Sequence, residues 1–194
     1  VKHHPALPWQ EMKPFMAELR AQAGIGALAV QFTILTAARS GEVRGMTWGE
    51  LDLDAKLWTV PAERMKGGRE HIVPLCAPAL AILERMKAFR QVGSDLVFCG
   101  IKRGQALSDM TLSKAAKDLH AAAIERGGKG YLDRVTKAIA TPHGFRSTFR
   151  DWVSDKTNFG NEVGEMALAH AISSATEAAY RRGEMLDKRR KLME

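Results

Sequence analysis

The sequence predicts an α+β fold, mainly α-helical, with a small set of three short strands confined to residues 51–75. Three observations carry this. Apolar residues recur at helical spacing in separate stretches along most of the chain, and alternation with period two occurs in the 51–75 region. One stretch, Ala27 to Ala38, is apolar on nearly every side and belongs at the centre of a core. A chain of 194 residues with 45% hydrophobic and 26% charged content suits one domain large enough to bury such a core.

Each element follows from local chemistry. Val1 to Pro8 is extended, because Pro5 and Pro8 block helix, and it reads as the end of a linker. Its His3-His4 pair has no further ligand nearby and reads as loop filler. Trp9, Met12, Phe15, Met16 and Leu19 define a first helix that Gly24 and Gly26 break. The central helix follows. Leu51 to Asp54 alternates, as does Trp58 to Val60 after a tight turn at Ala55-Lys56. A third strand, Glu70 to Leu75, follows the glycine turn Met65-Lys66-Gly67-Gly68-Arg69. Helix Pro78 to Arg90 places Leu80, Ile82, Leu83, Met86 and Phe89 inward, and Leu96-Val97-Phe98 is a short buried run. Ser108 or Asp109 caps a helix to about Arg126, ended by Gly127. Tyr131 to Ala140 is irregular. Thr141 and Pro142 start a helix reaching roughly Ser154, and Glu162 to Leu168 forms a short one. The tail, Glu184 to Glu194, sets Met185, Leu186, Leu192 and Met193 against Lys188 to Lys191, an amphipathic basic helix that the sequence leaves open to being cut short.

The net charge of +7 favours a polyanionic partner. No stretch approaches 18 apolar residues without charge and no signal peptide is visible, so a cytoplasmic protein without a membrane partner is expected. Cys76 and Cys99 make no disulfide framework, and no CxxC or CxxH spacing suggests zinc, so neither a metal nor a cofactor is expected.

The residues able to do chemistry are scattered. His143 and Arg146, three apart after a helix start, share one face and set an imidazole beside a guanidinium. Arg39 leaves a hydrophobic helix and needs an anion; Glu42, one turn on, supplies one internally, and an Arg39–Glu42 ion pair without ligand explains the segment equally well. Lys66 lies at a hairpin tip between Arg64 and Arg69, and Lys102-Arg103 forms a basic loop. These read either as solvated turns or as contacts to DNA phosphate. His71 lies on a strand and reads as structural. Downstream come His170 and, ten residues on, Tyr180. A tyrosine has a normal pKa of about 10, so its ionisation at neutral pH costs roughly 4 kcal/mol unless a neighbour takes the proton. Two arginines, a lysine, two histidines and a tyrosine suit phosphoryl transfer in which guanidinium groups stabilise the charge that builds up on phosphate.

In order and spacing these pieces resemble the catalytic domain of tyrosine recombinases, the phage-integrase family, and look closest to prophage and genomic-island integrases. The matching segments are Leu35-Thr36-Ala37-Ala38-Arg39-Ser40-Gly41-Glu42 with Trp48, Lys66 ahead of Ile72-Val73-Pro74-Leu75, His143-Gly144-Phe145-Arg146, Leu168-Ala169-His170, and Tyr180. Ala37 and Ala169 stand where glycine is common in the family.

The resemblance implies a mostly helical catalytic domain over residues 9–183, after the linker end at 1–8 and before the tail at 184–194, with its three-stranded antiparallel sheet at one edge. It implies site-specific recombination through a 3′-phosphotyrosyl link. Arg39 and Arg146 would clamp phosphate oxygens, Tyr180 attack phosphorus, Lys66 protonate the leaving 5′-oxygen, His143 accept the tyrosine proton, His170 bond a phosphate oxygen, and Glu42 support Arg39. Implied partners are double-stranded DNA at an attachment core site, further integrase protomers and accessory directionality or DNA-bending proteins, in a bacterial or phage-encoded, nucleoid-associated setting. The family's usual N-terminal DNA-binding domains do not precede Val1, so weak DNA affinity and a monomeric state are expected of these residues alone. A type IB topoisomerase would share the chemistry, a non-catalytic DNA-binding module would need neither Tyr180 nor His143, and a metal-dependent nuclease would need clustered carboxylates.

Overall fold

The structure, a computed structural model, describes residues 4–170 and 185–194. Its centre is the helix that the sequence makes apolar on nearly every side. Helix α1 (Met12–Ala21) buries Phe15, Met16 and Leu19 against α2 (Ile25–Thr36). Helix α2 has Ala29, Val30 and Phe32 fully buried. Its buried polar side chains are satisfied locally, as burial without a partner would be costly. Gln31 donates to Leu19 O at 3.2 Å, Thr33 to Ala29 O at 2.8 Å and Thr36 to Phe32 O at 2.7 Å. The helix ends at Ala37, whose φ of 51° is left-handed.

A short α3 (Ser40–Arg44) leads to a sheet of β1 (Leu51–Asp52), β2 (Leu57–Val60) and β3 (His71–Pro74), antiparallel in the order β1-β2-β3. Pairing Trp58 with Val73 turns both into the core, where Phe32 meets Trp58 at 5.8 Å between rings. The strands exist as expected, but β1 and β3 are shorter than their sequence pattern and β2 starts one residue earlier, at Leu57. The β2–β3 connection is also wider than a tight hairpin: Ala62–Arg64 forms a 3₁₀ turn before Gly68, at φ 61°, closes the Met65–Gly68 turn.

Helices α4 (Ala77–Lys87) and α5 (Asp109–Glu125) also pack against α2. Ser108 is the cap of α5, accepting from Thr111 N at 3.2 Å. The α2–α5 approach is close enough that a Cβ at Gly26 would meet Thr111 at 2.9 Å. Phe89, expected on the inner stripe, is instead 47% exposed, because α4 stops at Lys87 and the periodicity no longer applies beyond it.

Helix α6 (Phe145–Lys156) begins later than expected. Thr141 Oγ1 accepts from Gly144 N at 3.1 Å, so the capping chemistry is present but closes a turn over 141–144 rather than opening the helix. His143 therefore lies in that turn and Arg146 on the first turn of α6. Helix α7 (Asn161–Ala167) and the tail helix α8 (Leu186–Met193) complete a smaller core of Val153, Val163, Ala167 and Leu192. The tail docks on β3 and α7, with Arg189 buried and donating to Ile72 O, and Arg190 donating to Ala55 O at 3.0 Å.

Candidate active site

Three exits from secondary structure meet at one place: the end of α2, the β2–β3 connection and the turn before α6. Arg39 starts α3. Its N–H donates to Glu42 Oε2 at 2.9 Å and its guanidinium to Glu42 Oε1 at 2.7 Å, so one carboxylate fixes both the backbone and the side chain. Glu42 is 5% exposed, while the Arg39 side chain keeps 21% exposure and faces outward. Behind this pair, Arg64 turns inward and donates to Glu42 O and to the Glu50 carboxylate, which also accepts Trp58 Nε1 at 2.8 Å. This chain of bonds ties Arg39 to the sheet.

Arg146 is held differently. It is 6% exposed, and its guanidinium donates to Ala37 O and Leu168 O, the carbonyls at the ends of α2 and α7. Those carbonyls carry the negative end of their helix dipoles, a favourable seat for a cation. Burial, with the Arg39 charge second, lowers the Arg146 pKa to about 10, and Glu42 and Glu165 act in the opposite direction. It remains protonated at neutral pH. Its Nη2 lies 3.3 Å from His170 Nε2, and His170 Nδ1 lies 2.6 Å from Glu165 Oε2. Glu165 also holds Arg150 Nε at 2.7 Å. Sequence reasoning missed Glu165; its position five residues before His170, across a helix end, was the available signal.

Arg39, Ser40, Glu42, Arg64, Lys66 and His143 line a shallow cavity of about 440 Å³. Lys66 is exposed on its turn, as is Arg69. His143 stands at the rim, its pKa lowered by partial burial and then by the positive charges of His4, Arg146, Arg39 and Lys66. Its neutral form, the one able to accept a proton, is thereby favoured. Lys102 and Arg103 are exposed, and Arg103 donates to Val92 O at 3.0 and 3.1 Å. Tyr180 lies outside the described residues. A second cavity, about 480 Å³, lies between Gln10, Glu11 and the loop of Lys129, Asp133, Arg134 and Lys137, and it gathers none of the site residues.

Among the described residues no group of three or more His, Cys, Asp or Glu is arranged to hold a metal ion. No helix among them is long and apolar enough to cross a membrane. The chain has two tyrosines. Tyr131 is 6% exposed, packed edge-on against Phe15 at 4.8 Å, with its pKa pushed up to about 12 by burial and the neighbouring Glu18. It is no nucleophile.

Fold and cavity together define a mainly helical domain in which Arg39, Lys66 and His143 line one shallow cavity beside the Glu42 and Glu63 carboxylates, with Arg146 held behind them by two carbonyls. Residues 6–185 match the phage integrase family, and the chain belongs to that family, the tyrosine recombinases. It is 32% identical over 211 residues to the integrase of Enterobacteria phage P4, covering all of this chain and 44% of the relative. It is 35% identical over 162 residues to the prophage integrase IntA of Escherichia coli strain K12, covering 83% of this chain and 35% of the relative. The chain thus spans less than half the length of these two curated relatives. Among solved structures, the Tn1549 transposon integrase in complex with circular intermediate DNA superposes with a TM-score of 0.65 at 17% identity, over all of this chain and 66% of that one.

Proposed function

We propose that this domain cuts and rejoins DNA strands for site-specific recombination, integrating or excising a mobile element. The observation that supports this reading most is the convergence of Arg39, Lys66 and His143 on one cavity with Arg146 locked behind them. With Tyr131 buried, Tyr180 is the remaining phenol.

In the proposed step the Tyr180 oxygen attacks phosphorus while its proton passes to neutral His143. The bond from phosphorus to the 5′-oxygen breaks, and Lys66 delivers a proton to that oxygen. Arg39 and Arg146 hold the non-bridging oxygens as they gain charge; further N–H groups of Arg146 remain after its two carbonyl bonds. The phosphotyrosyl ester conserves the bond energy, so the reverse attack by a 5′-hydroxyl reseals the strand. His170, oriented by Glu165, adds a donor to phosphate. Double-stranded DNA is the proposed substrate, further protomers and accessory directionality or bending proteins the proposed partners. Arg69, Lys102 and Arg103 are proposed to lie along the backbone.

The test is a pool of nicked duplexes of randomised sequence incubated with the chain in EDTA and resolved on a denaturing gel. A covalent protein–DNA band that disappears in Tyr180→Phe is expected. Cleavage that persists in that variant would overturn the proposal.

A further inference from the structure

Residues 4–8, which the sequence marks as linker, are stitched to the segment that carries His143. Pro5 O accepts both Thr141 N at 3.1 Å and Thr141 Oγ1 at 3.3 Å. Ala6 N donates to Asp133 Oδ2 at 2.8 Å, and the buried Thr148 Oγ1 donates to Leu7 O at 2.6 Å. Leu7 is 1% exposed. The approach is so close that a Cβ at Gly144 would lie 1.8 Å from Pro5 O, so only glycine lets the strap pass beside His143. The outcome is a ring contact: the His4 and His143 imidazoles lie 4.1 Å apart between centroids, tilted at 47°.

We propose that His4 is a positioning residue for His143, its ring held by the Pro5–Leu7 strap so that the His143 imidazole is fixed at the mouth of the cavity. The proposal rests on the reading of His143 as the proton acceptor. An imidazole that lies in a turn rather than in a helix, with an exposed side chain, has little else to fix its rotamer. A displacement of about 1 Å is enough to cost as much as 100-fold in rate. The groups that face His143 are His4 from the strap, Arg146 from α6, Arg39 from the start of α3 and Lys66 from the β2–β3 connection. Of these, His4 alone contributes an aromatic surface as well as charge. It therefore both orients the ring and shields it from water, and the same shielding favours the neutral, proton-accepting form.

The test compares His4→Ala with His4→Phe in the 194-residue chain, with two readouts. The first is the NMR titration of the His143 Cε1–H resonance. His4→Ala should raise the His143 pKa, because it removes shielding and a neighbouring charge, whereas His4→Phe should keep most of the depression. The second is covalent-adduct formation against pH on nicked duplex. His4→Ala should slow it ~10-fold and move the acid limb to higher pH, and His4→Phe should recover most of the rate. An unmoved His143 titration in His4→Ala, or a His4→Phe as defective as His4→Ala, would overturn the proposal. An adduct that survives Tyr180→Phe would sink the recombinase reading instead, while the NMR arm would still report on the His4–His143 contact.

Discussion

His71 should make this protein acid-sensitive over a defined pH window. Its imidazole lies on β3, and burial, with the adjacent Arg189 second, lowers its pKa from 6.5 to about 4; Arg146 adds to the depression, while Glu42 and a hydrogen bond at Ala167 oppose it. The folded state thus holds His71 neutral, whereas the unfolded chain binds a proton near pH 6.5. A group depressed on folding contributes stability that is present above its unfolded pKa and lost as pH falls towards its folded one. The loss therefore runs from about pH 6.5 down to about pH 4. Each tenfold difference in proton affinity between the folded and unfolded states is worth ~1.4 kcal/mol. Acidification from pH 7 to about 4.5 therefore costs roughly 2–3 kcal/mol, a large fraction of a marginal stability. Urea unfolding followed by tryptophan fluorescence at both pH values measures it, with His71→Gln as the control that cannot titrate. The wild type should lose roughly 2–3 kcal/mol more than the variant on acidification. Parallel losses in the two proteins would refute the argument and place the acid sensitivity in the carboxylates.

The two arginines should separate in thermal melts paired with cleavage assays. Arg39→Lys should leave stability within about 1 kcal/mol and cut cleavage on the order of 100-fold, because Arg39 faces outward and a lysine keeps the charge but not the fork. Arg146→Lys should lose cleavage and also about 2 kcal/mol or more of stability, since a compact ammonium lacks the planar fork whose two nitrogens each reach one of the Ala37 and Leu168 carbonyls in a buried site. The two left-handed alanines should differ under replacement by glycine, read by urea unfolding. Relief of left-handed strain, about 1–2 kcal/mol, exceeds the roughly 0.4–1 kcal/mol entropy cost, so Ala169→Gly should stabilise by about 0.5 kcal/mol. Ala37→Gly should be near neutral, because it also removes a methyl that is 2% exposed.

Where the sequence was legible, it was so because one residue type sufficed. The largely apolar Ala27–Ala38 stretch has no stable place outside a core, and α2 lies within it. The Arg39–Glu42 pair could be read from a spacing of three residues, with its internal and anion-binding readings both left open. The ion pair is present, yet Arg39 still faces a cavity. Ala37 and Ala169 registered in the sequence only as departures from a family habit of glycine. Their φ angles, 51° and 49°, give the reason for that habit: each ends a helix whose last carbonyls Arg146 must reach. What stayed hidden were contacts between distant segments. Nothing local to His4 predicts a partner 139 positions away. The start of α6 was misplaced for the same reason. Thr141 satisfies the cap rule, but Pro5 occupies the space and the bonds beside it, so the chain makes a turn before it makes a helix.

Arg39, Lys66 and His143 line the cavity with Arg146 buried behind them, and the charges of such a cluster repel one another. Two kinds of anchor make it tolerable. Glu42 and Glu165 are tied up behind Arg39 and His170, and the carbonyls at the ends of α2 and α7 take the Arg146 guanidinium. Glu42 is occupied by Arg39, while the exposed Glu63 also lines the cavity and partly offsets its positive charge. The Arg146 pKa is lowered to about 10 by burial first and by the Arg39 charge second, so part of the repulsion remains. A group that gains charge on passing to its transition state relieves the remainder, and relieves it most at the moment the charge is greatest. On the proposed reading, such a site would bind an ordinary monoanion modestly and a dianionic, five-coordinate phosphorus better, the differential that lowers a barrier rather than merely tightening a complex.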